Sequence, residues 1–211
     1  MKLYHGSKVI VNQPIVKGSN KSNDYGPAFY MTKDFDSACE WACRNNTIGY
    51  VNEYRLNISG LSILDLREYS VLHWLAILLH FRTLDDGFIK AFKTRLEYLE
   101  NNYYINVDDY DVVIGYRADD AYFRFPLDFV RGNITIEQLD VSFKLGNLGI
   151  QYVLMSGKAI NKLQFNKSYL ADKKYVNQYF EAVKKATLLF DSLSKDDDGT
   201  RIIDIMRSDK K

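Results

Sequence analysis

Apolar and polar positions change their period several times along the chain, and each change marks an element. Residues 2–5 read as a short strand that ends at Gly6-Ser7. Residues 8–27 are rich in Asn, Gly, Ser, Lys and Pro and read as a loop. Residues 28–31 form a second short strand. Thr32 then caps a helix through Phe35, Ala38, Cys39 and Ala42, with Asp34 in the first turn favouring the dipole. Alternation over 50–58, then Ser59-Gly60, then 61–66, predicts two strands around a turn. Residues 70–82 make a strongly apolar helix, and 88–101 a second one with Phe92, Leu96 and Leu99 on one face. Residues 111–115, Asp-Val-Val-Ile-Gly, are a buried strand. Residues 119–131 begin a helix that Pro126 interrupts. The stretch 136–143 fits either helix or strand. An apolar strand over 151–155 is followed by Ser156, placed to cap a short helix over 157–163. Tyr175, Tyr179, Val183, Ala186 and Leu189 or Phe190 recur at helical spacing, which predicts a long amphipathic helix over 169–193. Asp196-Asp197-Asp198-Gly199 ends it as a solvated turn, and 202–206 form a last helical turn.

The mixture of strands and helices predicts an α+β fold. The chain has 211 residues, of which 46% are apolar and 26% charged, the balance of a globular chain long enough to bury a core without disulfides or metals. A net charge of +1 gives no global attraction to nucleic acid or to an anionic membrane. Cys39 and Cys43 share a helical face where a disulfide is awkward, and read as reduced, packed thiols of a cytosolic protein. No metal-ligand spacing joins them to His5, His73 or His80, so no metal site is expected. The longest apolar run, 71–81, is too short to span a bilayer and no signal-like segment opens the chain, so a cytoplasmic, membrane-free protein is expected.

The candidate chemistry starts at Leu3-Tyr4-His5-Gly6-Ser7. A glycine at a strand end lets a planar ligand approach the backbone, whose N–H and C=O can pair with a carboxamide, while the imidazole can bond a ribose hydroxyl. Alone, the segment is equally a turn with a surface histidine. A second segment adds to it: Tyr25-Gly26-Pro27-Ala28-Phe29-Tyr30-Met31-Thr32, followed by Asp36-Ser37-Ala38-Cys39-Glu40-Trp41-Ala42.

Together these segments resemble the ADP-ribosyltransferase superfamily, in its diphtheria-toxin and poly(ADP-ribose) polymerase branch, marked by a His, a Tyr and a Glu on three separate strands. The matching residues are His5-Gly6-Ser7, Phe29-Tyr30-Met31-Thr32 and Ser37-Ala38, with Ala28 where the family has a second glycine. More specifically, the chain looks like the bacterial family of domain of unknown function 3990, whose members are often linked with small toxin–antitoxin-like operons.

The resemblance implies split mixed β-sheets around an NAD cleft over residues 1–168, with a helical insertion at 68–104 and a C-terminal helical segment over 169–211. It implies NAD as substrate, His5 on its ribose, Gly6 on the nicotinamide carboxamide through its backbone, Ser7 among the residues that bind the cofactor, and Tyr30 stacked on the nicotinamide ring. Ser37 would support the carboxamide, and Trp41 would supply a second wall, one residue further along than in the family pattern. The expected activity is mono-ADP-ribosyl transfer to a protein or nucleic-acid acceptor, with a cognate antitoxin or small operon partner.

The third family motif places a Glu early in a late strand. Here Ile150-Gln151-Tyr152-Val153 puts Gln151 at that position. Gln can bond a ribose hydroxyl but cannot supply the negative charge that stabilises an oxocarbenium-like state. A shifted register would use Glu137-Gln138 instead. The neutral Gln keeps other readings open: a degenerate domain that binds NAD or ADP-ribose without transfer, an NAD glycohydrolase, or a protein-interaction module using 68–104 or the C-terminal helix. Asp119 and Asp120 read as caps of the next helix, with a substrate-side role as the alternative. Arg117 either contacts a pyrophosphate or pairs with them. His73 and His80 share a helical face and read as satisfied, half-buried side chains.

Overall fold

In a computed structural model, residues 1–16, 20–44, 47–118, 123–144, 149–172 and 198–209 are described, with Lys174, Tyr175, Glu181, Lys184, Thr187 and Leu188 between the last two segments. Asp119, Asp120, Asp196, Asp197 and most of the expected helix over 169–193 lie outside the described residues.

The strands are β1 (Lys2–Ser7), β2 (Phe29–Thr32), β3 (Tyr50–Leu56), β4 (Ile63–Asp65), β5 (Val112–Tyr116), β6 (Ile150–Leu154) and β7 (Leu163–Leu170). The helices are α1 (Phe35–Ala42), α2 (Val71–Phe81), α3 (Asp86–Tyr103), α4 (Arg124–Arg131), α5 (Ile136–Lys144), α6 (Gly157–Asn161) and a last one, α7 (Ile202–Ser208). The fold is α+β. Its seven strands form one mixed sheet in the order β4-β5-β6-β2-β1-β3-β7.

Only β4 and β5 are parallel, with Leu64 opposite Val113. A parallel pair needs a long crossover, and α2 and α3, which lie between β4 and β5 in the chain, supply it. Expected as a pair around Ser59-Gly60, β3 and β4 lie at different places in the sheet: β3 pairs with β1 and β7, and β4 with β5. The turn therefore leads from one half of the sheet to the other instead of closing a hairpin.

Side chains of β5 alternate between two buried faces. Val113 packs with Leu64, Val153 and the helices α2 to α5 and α7. Val112 and Ile114 pack with Phe29, Met31, Tyr54, Tyr152 and Leu154 on the other side. Burial on both faces explains its unbroken apolar run. Trp74 of α2 is fully buried in the larger core, its indole N–H donating to Tyr25 Oη at 2.8 Å and to the Tyr116 carbonyl at 2.9 Å.

Several boundaries differ from the sequence expectations. Asp34, not Thr32, caps α1, accepting from Ser37 N–H at 2.6 Å. Pro126 does not interrupt a helix: it lies in the first turn of α4, where its missing N–H has no helical partner to lose. Residues 136–143 are helical, opened by a reciprocal pair in which Gln138 N–H donates to Thr135 Oγ1 and Thr135 N–H to Gln138 Oε1. Tyr169 and Leu170, expected in a helix, close β7, where Tyr169 faces Val51. No helix among the described residues is long and apolar enough to cross a membrane.

Candidate functional site

The sheet is weakest at its middle. β1 and β2 share one registered pair, Tyr4 with Thr32, whereas β1 pairs with β3 along its whole length, from Lys2–Arg55 to Ser7–Tyr50. A cavity of about 330 Å3 lies at this joint, within the range of small-molecule sites. It is walled by β1, β2, α1 and the start of β6, and the segments around Asp24, Arg82 and Arg117 close its floor.

The strand pairing sets what β1 offers. Met1 and Leu56 exchange both backbone hydrogen bonds, at 2.7 and 2.8 Å. Alternation along an antiparallel ladder then points the N–H and C=O of Leu3, His5 and Ser7 toward β3, and those of Tyr4 and Gly6 toward β2. Tyr4 meets Thr32 there, and Gly6 faces the cavity. The glycine has a second reason that the sequence did not reveal. A Cβ at Gly6 would lie 2.1 Å from the Ala38 carbonyl oxygen and 2.8 Å from Ala42 N. Gly6 therefore lets α1 settle on β1 through its small Ala38 and Ala42 face. That packing brings Ser37 and Trp41, one helical turn apart on the adjacent face, to the cavity wall.

His5 is half-buried, with its ring 4.4 Å from that of Phe29. Its Nδ1 lies 2.7 Å from the Tyr30 carbonyl oxygen. A carbonyl can only accept, so Nδ1 carries the proton and Nε2 is left as an acceptor. Burial lowers the imidazole pKa below its ordinary 6.5, the Tyr30 bond opposing this in part. His5 is thus a neutral acceptor at neutral pH.

Tyr30 lines the cavity with its hydroxyl turned into the Tyr25-Gly26 loop. It donates to the Gly26 carbonyl at 2.6 Å and accepts from Tyr25 N–H at 3.1 Å. Burial raises its pKa, so it stays protonated. The ring, not the hydroxyl, is the part left to meet a ligand. Gln151 sits opposite Thr32 and Gly115 in the sheet. Its amide oxygen is buried without a hydrogen-bond partner and the residue lines the cavity. Leaving such an acceptor unmet costs about 1–3 kcal/mol.

Of the residues expected at the site, His5, Gly6, Tyr30, Ser37, Trp41 and Gln151 all line this one cavity. Ser7 does not. Its hydroxyl donates to the Val9 carbonyl at 2.5 Å and accepts from Asn52 Nδ2 at 3.0 Å, which pins the loop after β1. Glu137, the alternative to Gln151, lies on α5 and accepts from Thr200 N–H at 3.1 Å, away from the cavity. His73 and His80 bind the α3 side instead, to the Tyr103 carbonyl at 2.8 Å and Glu100 at 2.9 Å. Both cysteines are buried free thiols, and burial raises Cys39 to about 11.

Sequence reasoning singled out Arg117 but missed the other charged residues of the cavity, Asp24, Arg44 and Arg82. Asp24 Oδ2 accepts from Ala118 N–H at 2.8 Å, and Arg82 Nε lies 3.4 Å from Asp24 Oδ1. Arg82 Nη2 also donates to the Ala118 carbonyl at 3.2 Å. Arg44 and Arg117 place their guanidinium carbons 4.6 and 4.7 Å from the Trp41 ring centre. All of these line the cavity, and Asp24 is the one carboxylate among its described lining residues. Besides Arg117, the sequence signals were Arg82 at the end of the 70–82 stretch and Asp24 directly before Tyr25-Gly26.

No match was found among curated proteins or among solved structures. A family model does match, over residues 1–165, and so includes every strand that walls the cavity. The chain belongs to that family, described as protein of unknown function (DUF3990).

Proposed function

We propose that the cleft binds NAD and that the protein transfers ADP-ribose from it to a macromolecular acceptor. The observation that carries this reading is the convergence on one opened strand joint of a neutral histidine acceptor, a glycine backbone edge, an aromatic ring and an amide oxygen in need of a donor. These groups match the hydroxyls, carboxamide and ring of a nicotinamide riboside. In this reading His5 Nε2 and Gln151 Oε1 accept from ribose hydroxyls, Gly6 pairs with the carboxamide, Ser37 supports it, and Tyr30 and Trp41 wall the ring. The bond between the nicotinamide nitrogen and the anomeric carbon breaks, its electron pair leaving with nicotinamide. The acceptor's nucleophile forms the new bond at that carbon and releases its proton to solvent. Holding both reactants in one cleft lowers the barrier by positioning.

The test is incubation with radiolabelled NAD and a bacterial lysate, followed by nuclease and protease treatment. Label transfer that is lost in Tyr30→Ala supports the reading, and the sensitive treatment identifies the acceptor as nucleic acid or protein. Absence of NAD binding by titration calorimetry rejects it.

The neutral Gln151 favours a second reading, an NAD or ADP-ribose binder without transfer. A Gln151→Glu variant separates the two: transfer that appears only in the variant selects the binder. Nicotinamide release without labelled product instead marks NAD hydrolysis.

A further inference from the structure

We propose that Asn52 is a positioning residue for His5: its buried amide holds the end of β1 and the turn after it, so that the His5 ring bonds the Tyr30 carbonyl through Nδ1 and keeps Nε2 for the ligand. The identity of that ligand rests on the NAD reading; the role of Asn52 does not.

Strand alternation alone turns His5 away from the cleft. It shares a face of the sheet with Leu3 and Phe29, on the side of Val112 and Ile114, whereas Tyr4 packs on the α1 side. Its ring still meets the cavity because it lies in the gap between β1 and β2. After Tyr4 and Thr32, the next pair along an antiparallel ladder is Gly6 with Tyr30, and that pair is not formed. The Tyr30 carbonyl accepts from His5 Nδ1 at 2.7 Å instead. The opening of the joint and the free Nε2 thus share one cause, the placement of His5.

What fixes this placement lies on β3. Asn52 is directly opposite His5 and fully buried. A buried amide costs stability unless its hydrogen bonds are met, and a β-branched residue suits a central strand better. All four side-chain hydrogen bonds of Asn52 go to residues 5–11. Oδ1 accepts from Val11 N–H at 2.9 Å. Nδ2 donates to Ser7 Oγ at 3.0 Å and to the His5 and Val9 carbonyls at 3.3 and 3.4 Å. These partners fix the orientation of the amide, since an N–H only donates and a carbonyl only accepts. Residues 5, 7, 9 and 11 alternate as they would beside a neighbouring strand. One side chain therefore stands in for a strand where β1 leaves the sheet. Tyr54, two residues further along β3, adds a bond from its hydroxyl to the Val11 carbonyl but holds nothing of His5.

Nitrogen-15 NMR of the ring nitrogens, at about pH 8 and so above the ordinary histidine pKa of about 6.5, reads the tautomer without any ligand. Asn52→Ala removes the hold. Asn52→Asp keeps the shape and the acceptor for Val11 N–H but no donor, and serves if the alanine variant does not fold. The chain has three histidines, and His5→Gln assigns the His5 signals. His73 and His80, which bond the Tyr103 carbonyl and Glu100, are internal controls. In the wild type His5 should carry its proton on Nδ1. Either Asn52 variant should lose this single form, with His73 and His80 unmoved. Tyr54→Phe should lower the melting temperature and leave the His5 signals in place, since loss of stability alone does not move the ring. Calorimetry with NAD reads the consequence: Asn52→Ala should weaken binding about tenfold, and far less in a His5→Gln background, where nothing is left to position. A folded Asn52 variant whose His5 proton stays on Nδ1, or in which all three histidines shift together, overturns the proposal. The expected His5 response in a protein that does not bind NAD supports the role of Asn52 and rejects the NAD reading.

Discussion

The antiparallel pair β5–β6 ends in two polar clusters of opposite character. At one end Asp111 is closed on all sides. Its Oδ1 accepts from Ser156 Oγ at 2.6 Å, and its Oδ2 from Ser62 N–H and Lys158 Nζ, both at 2.9 Å. Its main chain bonds Ser62 and Met155. At the other end, where Gly115 faces Gln151, an amide oxygen is buried without a partner and the strands open onto a cavity lined with arginines. The same two strands thus carry a cluster whose polar atoms are met within the protein and a second end where the Gln151 amide oxygen is left unmet. Polar groups of the first kind hold the fold together. Polar groups of the second kind cost stability, and a ligand that meets them repays it.

The largest expected effect lies at the open end. Gly6→Ala drives a Cβ into the backbone of α1 at Ala38 and Ala42. Backbone cannot rotate away as a side chain can, so a loss of about 3 kcal/mol is expected. That is a fall of about 10 °C in melting temperature for a chain of this size. Thermal unfolding reads it directly. A melting temperature within error of wild type would mean that α1 does not sit on β1 as described.

The closed end should respond next, and differently. Asp111→Ala strands Ser62 N–H, Ser156 and Lys158, and should cost about 2 kcal/mol in urea unfolding with ligand affinity unchanged. Its acid dependence has a definite sign. Hydrogen bonds from Ser156, Lys158 and Ser62 hold the Asp111 pKa at about 2, below its ordinary 3.8. The folded state therefore binds fewer protons than the unfolded state between these values. A contribution of about 2 kcal/mol is present above pH 4 or so and is lost as pH falls toward 2. Asp111→Ala should lack this part of the acid slope. An equal slope in both proteins would move the acid sensitivity elsewhere.

Much of this was legible in the sequence, and the rest failed for identifiable reasons. β5 was readable because three consecutive β-branched residues fill both faces of a central strand. His5, Gly6, Tyr30 and Gln151, which the resemblance singled out, line one cavity because the strands that carry them, β1, β2 and β6, meet there. The partners of β3 and β4 were not readable, since a turn signal at Ser59-Gly60 says nothing about which strand lies beside which. Ser7 lies outside the cavity lining, its hydroxyl held by the Val9 carbonyl and by Asn52, 45 positions away. Arg44 and Arg82 were not readable as lining residues because, 38 positions apart in the sequence, they come to one cavity only through the fold. The reason for Gly6 was half seen: its backbone was read, and the helix pressed against its Cα was not.

Gln151→Leu sharpens the comparison with a change of opposite sign. Removing a buried acceptor that has no protein partner should raise stability, by about 1 kcal/mol, while weakening NAD or ADP-ribose binding by about tenfold. At the closed end no substitution of this kind can do both. Urea midpoints and calorimetry on one preparation give the two numbers. Lowered stability in Gln151→Leu would show that the amide oxygen is satisfied within the fold, and the contrast between the two ends would collapse.

The smallest effect is the pH response of His5. Its pKa lies below 6.5 because burial disfavours the imidazolium more than the Tyr30 carbonyl favours it. The neutral ring, with Nε2 as acceptor, therefore persists through neutral pH. Ligand affinity should change by less than about twofold between pH 8 and 6.5 and should weaken only below that. Protonation there converts Nε2 to a donor and adds a positive charge to the cleft. The same depressed pKa makes stability fall on acidification below 6.5, because the unfolded chain takes up this proton first. His5→Gln should flatten both curves by removing the titrating group. Calorimetry at stepped pH checks the binding curve. Affinity that rises on acidification through this range, and loses that rise in His5→Gln, would mean that a charged His5 donates to the ligand. His5 would then bind as a donor, and the reading of the cleft as one that offers a neutral histidine acceptor would be gone.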